Sequence, residues 1–226
     1  MNAWSKLHNF GYLVYTVGDG VRKNTIADLN TLSIANAEKA VELVRRDVDA
    51  VLFIAGGNSS ERSPRPTRVA GALTEAQRMV IYIREYMSSG IPVITDCDPE
   101  FTEQTGLQPS GNTPENSRNA ASVLRLQSNL QSHVSIPAER LHLPRVIGTF
   151  RRSLQDLRLL TGTKMLGYPI AAPFDPESDQ QHLRSEDAFC TWEWKARMHH
   201  LLTGKVLRKE FLREWMSGRN YSHLFH

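Results

Sequence analysis

Apolar residues fall into two kinds of pattern along this chain, short continuous runs and helical stripes, and the two alternate. The first run is "YLVYTV" at residues 12–17, β-rich and closed by Gly18-Asp19-Gly20. It predicts a strand running into a turn. Ala37, Ala40, Val41, Val44 and Val48 then recur at helical spacing and predict an amphipathic helix. "AVLFIAGG" follows, apolar throughout and ended by Gly56-Gly57. A strand without alternation is what a parallel sheet covered on both faces produces.

The polar stretch "NSSERSPRPTRVAGA" reads as a loop, and "LTEAQRMVIYIREYMSSG" as a helix. Thr74 and Gln77 have capping-box spacing, Ala76, Met79, Val80 and Ile83 mark the buried face, and Gly90 is the stop. "IPVITDCD" predicts the next strand, residues 99–111 a loop, and residues 112 to about 131 a helix. "HVSI" and "KMLGYPIA" read as strands on either side of a helix in "LHLPRVIGTFRRSLQDLRLL".

Strands alternating with helices predict an α/β fold, a Rossmann-like three-layer sandwich with a mostly parallel sheet. Residues 1–178 form this domain. After the linker-like "PFDPESDQQ", residues 179–226 are expected as a C-terminal helical extension packed on it, carrying Trp192, Trp194 and Trp215. In such folds ligands lie beyond the carboxyl ends of the strands. Gly18, Asp19, Gly56, Gly57, Asn58 and Asp96 all follow predicted strands.

Composition narrows the picture. With 226 residues, 40% hydrophobic and 23% charged, the chain can build a real core. A net charge of +3 is too small to point to nucleic acid. Cys97 and Cys190 form no disulfide framework, and the start of the chain lacks the charged, apolar and small-residue order of a signal peptide. No apolar run approaches the roughly 20 residues of a membrane span. A cytoplasmic location is expected. No metal is expected either. Asp96 and Asp98, His199-His200, and His223 with His226 each lack further ligands at metal-site spacing. A Gly-x-Ser-x-Gly elbow, a full dinucleotide fingerprint and a P-loop lysine are all missing.

The densest polar cluster is "PSGNTPENSRNAASVLR" at residues 109–125. Asn112 or Thr113 can cap a helix there, Pro114 suits its first position, and Glu115 favours its first turn. Asn116 shares a face with Ala120, Val123 and Leu124, so it points to the buried side. Two roles stay open for Asn112 and Asn116: fastening neighbouring loops, or meeting a ligand at the helix N-terminus.

Taken together, "IAGGNSS", "LTEAQRM", "GIPVITD", "GNTPENSRNAASVL" and "LHLPRVIGTF" resemble the YdcF/SanA/ElyC-like family, a Rossmann-like domain of unknown function. The resemblance covers roughly residues 12–172. It implies a site built from Gly56-Gly57, Glu75, the Asn112-Thr113-Pro114-Glu115-Asn116 element, and His142 with Arg145. It also implies a small anionic or nucleotide-like ligand, such as an S-adenosylmethionine-like molecule. Glu75, Glu115 and His142 are the candidate acids and bases. Gly18, Asp19, Gly56, Gly57, Asn58, Asn112, Thr113, Asn116 and Arg145 are the candidate ligand contacts. The rival reading is a non-catalytic scaffold. In it, a C-terminal stripe of Val206, Phe211 and Trp215, with Lys205, Arg208, Lys209 and Arg213, docks a protein partner or an anionic membrane surface.

Overall fold

The computed structural model describes residues 4, 10–18, 29–56, 73–87, 90–126, 132–174, 176 and 184–206. Five strands form one sheet: β1 (Tyr12–Val17), β2 (Ala50–Ala55), β3 (Val93–Thr95), β4 (Ser132–Glu139) and β5 (Thr163–Ile170). Their order is β3-β2-β1-β4-β5, and every pairing is parallel. The helices are α1 (Thr31–Val44), α2 (Glu75–Tyr82), α3 (Pro99–Thr105), α4 (Thr113–Arg125), α5 (Leu143–Asp156) and α6 (Glu186–Leu202). A π-helical turn at Ile83–Met87 continues α2.

The two-residue period of the central strands builds the two cores. Val51, Phe53 and Ala55 of β2 join Leu13, Tyr15 and Val17 of β1 beneath α4 and α5. Leu52 and Ile54 turn the other way, with Val14, onto α1 and α2. Both faces of β1 and β2 are therefore buried, which is why their sequences lack alternation. The α/β three-layer sandwich expected from the sequence is the fold observed.

Several boundaries differ from expectation. Residues 99–111 are not all loop: Pro99 starts α3, and Gly106 ends it at φ 71°, where its N–H donates to Thr102 O. Pro at the first turn and a left-handed glycine at the end are the usual punctuation of a short helix. Helix α1 stops at Val44, so Val48 is 88% exposed and lies outside the buried stripe. Helix α4 ends at Arg125 rather than near residue 131, and β4 extends past "HVSI" through Glu139.

Strand β4 enters on the opposite side of β1 from β2, so the winding of the sheet reverses between β1 and β4. Their ladder runs only from Tyr12↔His133 to Val14↔Ser135. Two residues later Pro137 has no N–H to give. There the Thr16 hydroxyl donates to the Pro137 carbonyl at 3.1 Å instead. The carboxyl halves of β1 and β4 thus lack main-chain pairing at the point where open α/β sheets form their ligand crevice. No helix among the described residues is long and apolar enough to cross a membrane.

Candidate functional site

Gly18 and Gly56 end the adjacent strands β1 and β2, and both face Glu75. A β-carbon at Gly18 would lie 2.8 Å from Glu75 Cβ and 2.9 Å from its Oε2. At Gly56, with φ 158°, it would lie 3.4 Å from both Glu75 Cβ and the Ala76 nitrogen. Glycine is needed at Gly18 because the start of α2 presses onto the strand end, and at Gly56 because of its positive φ. That start is fixed by a complete capping box between Thr74 and Gln77 and by the Ala76 N–H, which donates to Gly56 O at 2.8 Å. Asp19, Gly57 and Asn58 lie outside the described residues, as do Arg62, Arg65 and Arg68.

The next strand end is organised by Asp96, which is fully buried. Its carboxylate accepts from Gly56 N at 3.4 Å, Ser110 N at 3.0 Å, Asn119 Nδ2 at 3.1 Å and the Ser110 hydroxyl. It therefore joins the ends of β2 and β3 to the approach and first turns of α4. Burial pushes its pKa up, against the pull of these hydrogen bonds. Asp98 turns back on its own strand, accepting from Thr95 N at 2.8 Å and Thr95 Oγ1 at 3.0 Å. Cys97 beside them is an inert thiol, pushed up to about 12 mainly by burial and by Asp96.

The polar opening of α4 now separates into distinct tasks. Asn112 caps the helix by accepting from Glu115 N at 3.1 Å. Glu115 reaches back: its carboxylate accepts from Gly111 N and from Asn112 Nδ2, each at 2.7 Å. Both of its oxygens are committed to the turn, an arrangement close to a capping box. Ser117 faces the sheet and α5, 3.4 Å from the Tyr15 hydroxyl and 2.7 Å from Thr149 Oγ1. Asn119 holds Asp96. Asn116 is 7% exposed, and its Oδ1 has no hydrogen-bond partner among the described residues.

His142 and Arg145 are brought to this edge but are covered. His142 precedes α5, is 4% exposed, and stands edge-on to Phe189 of α6 with ring centroids 6.4 Å apart. Its Nε2 lies 3.4 Å from Thr113 Oγ1. Arg145 gives Nε and Nη2 to the two oxygens of Glu193 at 2.8 and 2.9 Å, and Nη1 to Thr113 Oγ1 at 2.6 Å. Its guanidinium carbon sits 4.5 Å from the centre of a Trp192 ring. Burial alone would raise the Glu193 carboxyl, but Arg145, His142 and Arg197 outweigh it and the net shift is downward. The N–H groups leading into α5 are met by the buried Glu139, whose Oε2 accepts from Leu141 N at 2.6 Å and His142 N at 3.1 Å.

Asp96 as a hub, Glu139, Glu193 and Trp192 are the residues that sequence reasoning missed. Asp96 carried a signal, an acid directly after an apolar run. Glu193 carried none, because its partner is 48 positions away. Of the C-terminal stripe, Lys205 and Val206 are described. A β-carbon at Gly148 would lie 3.2 Å from Val206 Cγ1, so this residue packs on α5. Phe211, Trp215, Arg208, Lys209 and Arg213 lie outside the described residues. Comparison with protein-family models and with curated protein sequences gave no match.

Proposed function

We propose that this chain is a small-molecule-binding α/β protein of the YdcF-like type, an enzyme acting on a nucleotide-like ligand held at the carboxyl edge of the sheet. One observation carries the reading: Gly18 and Gly56 end two neighbouring strands beside the switch point and bring Glu75, at the start of α2, onto those strand ends. In open α/β sheets the crevice outside such strand ends is where ligands bind. The sequence after Gly56 carries Gly57, Asn58, Arg62, Arg65 and Arg68, residue types suited to a phosphate or carboxylate. An S-adenosylmethionine-like ligand remains part of the proposal through the family resemblance alone.

Glu75 is the acid-base group we assign, because it borders the glycine floor. Glu115 is committed to its turn and His142 is covered by Phe189, so neither takes that role in this reading. The test is a melting-temperature and native mass-spectrometry survey of the full chain with adenosine monophosphate, S-adenosylmethionine and inorganic phosphate. Binding of one nucleotide-like molecule is expected, with its loss in Gly18→Ala, whose new methyl displaces Glu75. Failure of all of them to bind, or unchanged binding in a folded Gly18→Ala protein, overturns the reading.

A further inference from the structure

Asn116 lies in the first turn of α4, and its carbonyl is unmet among the described residues. Thr113 faces His142 and Arg145 beyond β4, whereas Asn119 faces Asp96 at the end of β3. Asn116 lies midway between them in sequence. At about 100° per residue its side chain projects between theirs, toward the strands that separate β4 from β3. Those strands are β1 and β2, which end in Gly18 and Gly56. The side chain is more than nine-tenths buried, and Oδ1 has no partner among the described residues.

The surrounding chemistry sets the sign of what can be received. Glu75 Oε2 borders the Gly18 floor, and the buried carboxylate of Asp96 holds the Gly56 N–H. Arg145, which Thr113 faces, has all three guanidinium nitrogens engaged by Glu193 and Thr113. The openings of α2 and α4 are capped by Thr74 and Asn112, and Glu139 takes the N–H groups entering α5. Among the described residues the floor thus presents acceptors, while these donors are committed elsewhere.

We propose that the crevice floor takes the donor-bearing end of its ligand, an amino or hydroxyl group that donates to Asn116 Oδ1, with the anionic end directed away from the floor. This rests on the reading of the crevice as a nucleotide-like ligand site. An unpartnered buried oxygen destabilises the empty fold, and a ligand donor removes that penalty on binding.

The experiment is calorimetric titration of the full chain with three probes: adenosine, purine riboside, which lacks the 6-amino group, and 2′,3′-dideoxyadenosine, which lacks the ribose hydroxyls. In the wild type, loss of one donor set is expected to weaken binding by about tenfold or more. Asn116→Leu erases the difference. Asn116→Asp, which keeps an acceptor oxygen, retains it. Equal binding of all three probes by the wild type, or undiminished discrimination in Asn116→Leu, overturns the proposal and leaves the nucleotide reading standing. If no nucleoside binds, the nucleotide reading falls and takes this proposal with it.

Discussion

Glu193 and Arg145 form a two-pronged buried pair, with both carboxylate oxygens held at 2.8 and 2.9 Å and the side chains 3% and 5% exposed. Through it α6 is fastened over the N-terminal end of α5, and Phe189 is brought onto Leu32, Leu141, Ala172 and Phe174. The residue that looked most like an anion anchor is thereby satisfied from within the chain.

Removing Glu193 strips the buried Arg145 of its carboxylate, and removing Arg145 leaves Glu193 with the longer contact to Arg197 Nε at 3.9 Å. Glu193→Leu or Arg145→Met alone is expected to lower stability by about 3–5 kcal/mol. The double variant Glu193→Leu with Arg145→Met should lose less than the sum, because the two paired charges leave together and Arg197 gives up a longer contact, 3.9 Å from Glu193. Urea unfolding of the four proteins measures this. Additive losses would show that the two side chains are not coupled.

Acid should loosen α6 in two stages. His200 is held down to about 3 in the fold, against an ordinary 6.5, by burial and by the charges of Arg145, Lys205 and His199. The stability it contributes is complete above 6.5 and is lost progressively as pH falls toward 3. Glu193, with its value lowered below 4.5, adds a second loss as pH falls through its folded value. Urea midpoints between pH 7.5 and pH 5 should fall in the wild type and fall less steeply in His200→Gln. Identical slopes would refute the assignment to His200.

Asp96 behaves oppositely. Its folded pKa is raised by burial, so the stability it contributes is fully present at acid pH and is lost as pH rises through the folded value. Asp96→Asn nevertheless should not stabilise the neutral protein. Oδ2 receives Ser110 N, the Ser110 hydroxyl and Asn119 Nδ2, and Oδ1 receives Gly56 N. Either orientation of an amide sets its NH2 against a donor. A loss of about 1–3 kcal/mol is expected by denaturant titration. A gain would mean that charge burial outweighs the hydrogen bonds.

Glu115→Gln is a structural change despite its near-identical shape. The carboxylate accepts from Gly111 N and Asn112 Nδ2, and an amide can accept only one of them well. Stability should drop by about 1 kcal/mol, and binding of any ligand should fall only in proportion to folded protein. Binding lost at unchanged melting temperature would restore Glu115 to the site.

The layered architecture was legible because buried strands and amphipathic helices leave local marks. "YLVYTV" and "AVLFIA" are apolar throughout since both of their faces are covered, and Thr74 with Gln77 announces the start of α2 within four residues. The same locality shows in Asn116, whose burial follows from its spacing to Ala120 and Leu124. What the sequence could not state was how distant side chains use one another. Asp96 gathers Gly56, Ser110 and Asn119 across three elements, and Glu193 closes over Arg145 from a helix whose own pattern gives no hint of it. Hydrophobic periodicity is a property of neighbours along the chain. The pairing of buried charges is decided only when the packed layers bring remote residues within hydrogen-bond reach.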